Sequence, residues 1–106
     1  MRYEWDQEKN RRNRRKHGGI SFELATLVFE DERCLIYRDR IDEHSGEQRW
    51  LVLGMARPAA DAAILLVVAH VYREEEHGEE IIRIFSAREA EKHEIGRYQA
   101  QALDES

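Results

Sequence analysis

Ala63-Ile-Leu-Leu-Val-Val-Ala-His-Val-Tyr72 is the stretch on which the fold turns. From Ile64 to Ala69 it is apolar without interruption, the pattern of a central strand covered on both faces rather than of a half-wet surface element. The longest apolar run, Ala62 to Ala69, falls far short of the ~20 residues a membrane span needs. Strand-like segments lie on either side, at about 33–41, 48–55 and 80–85. Ser45-Gly46 and His77-Gly78 are turn signals, with a longer loop expected around Pro58. Such short connections favour an antiparallel meander over crossovers.

Outward from this sheet, both flanks read as helical. Asp6 is a good N-cap for a helix over about 7–17, with Glu8 in its first turn and Arg, Lys and His in its last, as the helix dipole prefers. Gly18-Gly19 stops it. No residue from 7 to 17 is aliphatic or aromatic, so the sequence predicts anchoring by the flanks, Tyr3 and Trp5 on one side and Ile20 and Phe22 on the other. Ser21 caps a second, shorter helix carrying Phe22, Ala25, Leu27, Val28 and Phe29, which Glu30-Asp31-Glu32 terminates. At the far end, Ser86-Ala87-Arg88-Glu89 has the form of a capping box opening a helix over about 87–102, with Ala87, Ala90, Ile95, Tyr98 and Ala102 on one face. The expected order is a short leading strand, two helices, a four-stranded antiparallel sheet and a final helix: an α+β fold.

A chain of 106 residues is expected to be a single domain spanning 1–106 and to bury roughly two-thirds of the surface exposed by its unfolded form. Cys34 is the only cysteine, which rules out an internal disulfide and a thiolate cluster. That count suits a reducing cytoplasm, and no leader-like segment opens the chain, so a cytoplasmic location is expected. The formal net charge is −5, yet residues 7–17 hold six Lys/Arg against one Glu, leaving −10 on the remainder. Basicity this local marks a binding face for phosphate.

Trp5-Asp6 is followed by Lys9, Asn13, Lys16, His17 and Gly18, then by Ser21-Phe22-Glu23, Ala25 and Val28-Phe29. Further on come Glu47 and Arg49, an apolar run ending in His70, Arg73, and Arg83-Ile84-Phe85-Ser86-Ala87-Arg88 with Ala90, Glu94 and Tyr98. This series, spread over roughly residues 3–98, resembles the BrnT family, the ribonuclease toxin half of type II toxin-antitoxin pairs. Gly18-Gly19 departs from the single glycine usual there, and Arg14 stands where an apolar residue is common. The resemblance implies a RelE-like fold, RNA cleavage and a BrnA-like antitoxin with a ribbon-helix-helix DNA-binding part, commonly in a two-plus-two assembly.

Metal-free RNA cleavage needs cations for the in-flight phosphate and a proton acceptor for the 2′-OH. Lys9, Arg11, Arg12, Arg14 and Arg15 are the candidates for RNA binding. Lys16, His17, Arg49, His70, Arg83 and Arg88 are the candidates for catalysis. Several have a plainer reading: His17 as a helix terminus, His70 as a satisfied core histidine, Arg88 as a salt-bridge partner of nearby acids. Glu47 and Arg49 form either an acid/base and phosphate pair or an ordinary ion pair. Arg83, set among Ile81, Ile82, Ile84 and Phe85, must find a partner or an anion. Tyr98 reads as core packing. No His-Glu-x-x-His helix, Cys-rich spacing or glycine-rich phosphate loop occurs, so neither metal nor cofactor is expected. The competing function is a catalytically degenerate homologue that binds antitoxin or nucleic acid. A helix-turn-helix version of it is disfavoured because residues 22–31 carry three acids and no base.

Overall fold

Ala62–Glu74 is the third of five strands in one mixed sheet, and successive residues Val67 and Val68, with Leu66, His70 and Val71, are at most 2% exposed. Neighbouring residues of a strand face opposite ways, so burial of both parities means both faces are covered. The computed structural model describes residues 1–104, with side chains through Gln101. In chain order the elements are β1 (Arg2–Glu4), α1 (Gln7–Lys16), α2 (Phe22–Thr26), a 3-10 turn (Leu27–Glu30), β2 (Leu35–Ile41), β3 (Gln48–Ala59), β4 (Ala62–Glu74), β5 (Glu80–Glu89) and α3 (Lys92–Asp104). The sheet order is β1-β5-β4-β3-β2. No described helix is long and apolar enough to cross a membrane.

The expected four-stranded antiparallel sheet is corrected to a five-stranded mixed one. β1 joins the edge of β5 in parallel, Tyr3 opposite Ile82 and Glu4 opposite Arg83. It covers part of an edge that would otherwise present unpaired backbone groups. The expected loop around Pro58 is also absent: Pro58 lies within β3, next to a register shift between Ala56 and Ala59, where a residue lacking an N–H is tolerated.

A larger correction concerns Ser86–Glu89, which continues β5 instead of capping a helix. Val68 pairs with Ala87 and Val67 with Arg88, and Ala87 is fully buried. Pairing with the most apolar strand of the sheet outweighs the local capping signal. The helix begins after Glu91, where the Glu91 backbone N–H donates to Glu94 Oε1 at 2.8 Å, one half of a capping box displaced along the chain. Ala87 and Ala90 therefore precede α3, and the Ala102 side chain lies outside the described residues.

Helix α1 shows why sequence patterning alone was insufficient. Asp6 accepts from the Glu8 and Lys9 amides as expected. Its anchors, however, are two buried asparagines. Asn13 Nδ2 donates to Ile20 O (2.9 Å) and Ala87 O (2.7 Å), and Asn13 Oδ1 accepts from Ala87 N (3.1 Å). One carboxamide thus pairs with the β5 edge beyond the reach of β1, as a strand would. Asn10 accepts from Phe22 N and donates to Glu23, fixing the start of α2, whose N-cap is Ser21. Flank packing is present as well, Trp5 lying edge-on to Phe22.

Together α1, α2 and the 3-10 turn cover one face, with Ile20, Phe22, Ala25 and Val28 on Val52, Ala56, Leu66, Val68, Ile82, Ile84 and Ala87. Gly54 permits this closeness: a Cβ there would stand 2.8 Å from Val28 Cγ1 and 2.9 Å from Cys34 Cβ. Tyr98 tethers α3, its hydroxyl donating to Asp31 Oδ2 at 2.5 Å, so it is not simply core packing. Burial and that bond push the Tyr98 hydroxyl up to about 12. Burial opposes ionisation of Asp31, but bonds from Tyr98 and the Met55 and Arg33 amides leave its carboxyl below the usual range.

Candidate active site

Strand register fixes which side chains share the sheet face opposite the N-terminal helices. His70 points to the helical side, its ring edge-on to Phe29 of the 3-10 turn at 4.9 Å. Its neighbour Val71 therefore points the other way, together with its partner Arg83 and with Arg73 two residues on. Glu4 lies opposite Arg83 across the parallel pair. A bulge adds Phe85 to this side, since Ala69 pairs with Ser86 but His70 with Ile84. Bulges re-aim side chains in this way.

The result is a chain of alternating charges. Arg83 Nη1 lies 3.2 Å from Glu4 Oε1, and the same oxygen is 3.5 Å from Arg73 Nη1. Arg73 donates in forked fashion to Glu47, Nε to Oε2 at 3.1 Å and Nη2 to Oε1 at 2.9 Å. That bond, outweighing partial burial, holds the Glu47 carboxyl below its ordinary value and raises Arg73. Beside this chain, the Arg49 guanidinium sits 4.3 Å from the centre of the Phe85 ring, and Lys9 Nζ of α1 sits 5.3 Å from it. Arg49 pairs with Asp42 at 3.2 Å rather than with Glu47, and its Nε–H is buried with no acceptor among the described residues. A half-buried guanidinium that keeps an unused donor beside its one carboxylate partner is a candidate receptor for a further anion.

Three arginines and a lysine therefore meet three carboxylates, Glu4, Glu47 and Asp42. A family model for BrnT, the ribonuclease toxin of type II toxin-antitoxin systems, matches residues 5–94. The chain belongs to the BrnT family. No curated protein matches it. Within the BrnT match fall Lys9, Glu47, Arg49, Arg73, Arg83 and Phe85; Glu4 precedes it.

The remaining candidates of this BrnT chain lie elsewhere. His70 is fully buried, Nδ1 against Val68 O at 3.1 Å, and burial lowers its pKa despite that bond. His17 is the C-cap of α1 and lines a cavity of about 410 Å³ with Gly18, Ile20, Ile64, Arg88, Glu89 and Glu91. Arg88 is claimed there by Glu94, through Nη1–Oε1 at 2.7 Å and Nη2–Oε2 at 3.0 Å. Lys16 is exposed in the last turn of α1, and Arg11, Arg12, Arg14 and Arg15 are exposed along the same helix. Among the described residues, Glu91, His93 and Glu94 bring candidate metal-ligand atoms within 4.8 Å of one another. Glu94 is already held by Arg88, so a cation there would have to displace a guanidinium.

Arg83 and Arg49 were legible from sequence. Arg73 appeared there only through the resemblance, and Glu4 and Phe85 not at all as site residues. Nothing local marks them, because they are assembled by β1–β5 pairing and the β5 bulge.

Proposed function

We propose that this chain is a metal-independent endoribonuclease, with Arg83 and Arg49 as its phosphate-binding groups. The observation that carries the reading is the gathering of Arg49 and Lys9 over Phe85 beside the run Arg83–Glu4–Arg73–Glu47, with Glu4 and Glu47 as exchangeable counter-ions. An RNA phosphate displaces Glu4 from Arg83. Glu47 takes the proton of the 2′-OH as the 2′-oxygen bonds to phosphorus, the bond to the 5′-oxygen breaks, and Lys9 gives that oxygen its proton. The products are a 2′,3′-cyclic phosphate and a free 5′-hydroxyl. The sheet-and-helix arrangement is, on this reading, a RelE-like variant. A BrnA-like antitoxin with a ribbon-helix-helix part restrains it in a two-plus-two assembly by covering the cationic face.

The test is cleavage of end-labelled RNA by purified protein in excess EDTA. Wild type is expected to cut with chelator present. Arg83→Ala, folded by circular dichroism, is expected to be slower by about 10²–10³, the usual effect of removing one donor to a developing charge. A folded Arg83→Ala protein that cuts at the wild-type rate overturns the assignment, and loss of all cleavage in EDTA overturns metal independence. The His17–Arg88 cavity supports a second site reading, weakened by the Glu94 clamp. If His17→Ala abolishes cleavage and Arg83→Ala does not, that cavity takes precedence.

A further inference from the structure

We infer that the outward side of α1 is a second RNA contact, a phosphate track that holds the strand beyond the cut site. The inference rests on the ribonuclease reading for its ligand class, and on separate observations for its place. With Asn10 and Asn13 turned inward, Arg11, Arg12 and Arg15 stand outward with side chains 64%, 68% and 75% exposed. One carboxylate, Glu8, serves all three, at 2.6, 3.8 and 4.0 Å. Arg14 and Lys16 have no carboxylate within ion-pairing distance among the described residues. Most of this charge is therefore uncompensated in a chain that is acidic elsewhere.

Shape and continuity point the same way. Arg11, Arg14, Arg15 and Gly19 line a concavity of about 370 Å³. Gly19 has φ +89 and nothing within 4 Å of where a Cβ would be, and its N–H is spent on Arg14 O at 2.7 Å, so guanidinium donors bound an open pocket. Lys9, Arg12 and Lys16 follow one line at i, i+3 and i+7 over roughly 10 Å of helix. That line begins at Lys9, which already touches Phe85 beside Arg49. Helix α1 thus carries one line of cations away from the proposed cut site, while Arg11, Arg14 and Arg15 form a second line on another side of the helix, along the concavity. A protein partner would find no aliphatic or aromatic side chain on α1 to bury, whereas stable protein interfaces centre on such anchors. A polyanion needs none.

The experiment measures binding of labelled single-stranded oligouridine by the uncut complex of Arg83→Ala protein across a salt series. Adding Arg11→Gln, Arg14→Gln and Arg15→Gln is expected to reduce the log-log salt slope by about 2, roughly 0.7 for each phosphate released. The Arg→Lys triple at the same positions is expected to keep the slope. An unchanged slope in the Gln triple overturns the track, and does so still more plainly if that variant instead loses antitoxin binding. Cleavage by the parent protein is read separately, so a failed ribonuclease reading and a failed track give different results.

Discussion

His70 condenses the tension between sequence and structure at the scale of one residue. It ends the apolar run that reads as the central strand, and it faces the core rather than the cationic face, packed edge-on between Phe29 and Tyr72. Its Nε2 is buried without a partner among the described residues. Burial disfavours the imidazolium, so the folded pKa lies below 6.5 and the unfolded chain binds the proton more readily. Stability from His70 is thus fully present above about pH 6.5 and lost as pH falls from there through the folded value. Urea unfolding at pH 7.5 and 5.5 is expected to show a larger acid loss for wild type than for His70→Leu. Equal losses would assign the acid sensitivity to other groups. Whether a polar side chain at the end of an apolar run turns inward depends on a bulge and on what lies across from it, and neither is written locally. Arg83 was legible for the opposite reason, since an arginine among isoleucines must have a counter-charge wherever the strand goes.

Among the elements, α1 and β5 explain each other. Asp6, Ser21 and the two glycines mark the helix ends in the sequence because capping is local chemistry. Asn13 carries no such mark, because its partner Ala87 is 74 positions away. The same contact shows why Ser86–Glu89 could not be read as strand from its own residues: the decisive pairings are with β4 and with a helix near the N-terminus. Asn13→Ala strands the Ala87 N–H and C=O and the Ile20 C=O in a buried place. Each such group costs roughly 1–3 kcal/mol, so a loss of about 3 kcal/mol or more in urea-unfolding free energy is expected. Asn13→Asp is expected to be no better, since a carboxylate would face two carbonyl oxygens. A loss below about 0.5 kcal/mol for both would show that the flanking aromatic residues hold α1 unaided.

Over the whole molecule, charge is segregated: +5 on residues 7–17 and −10 on the rest. The acidic remainder suits a basic partner, and complementary charge acts chiefly on encounter rate and orientation. Antitoxin association is therefore expected to slow as salt is raised from 50 to 300 mM while the dissociation rate changes little, measurable by stopped flow. A salt-independent association rate would make the interface apolar in character. If the antitoxin occludes the cationic face, Arg73 and Arg83 are expected to be protected from arginine-modifying reagents in the complex and reactive in the free chain.

The parallel pairing of β1 with β5 also orders events in time. Glu4 and Arg83 meet across 79 positions of chain. At roughly 5–20 residues per second of synthesis, Glu4 waits on the order of 4–16 s before Arg83 exists. Until then β5 is missing, Asn13 has no Ala87, and α1, though bonded through its asparagines to Ile20 and Phe22, lacks its tie to the sheet and its cationic neighbours. The cluster on the far face of the sheet is thus a late product of translation, absent from every shorter nascent chain, which leaves an interval in which a partner synthesised nearby can already be waiting.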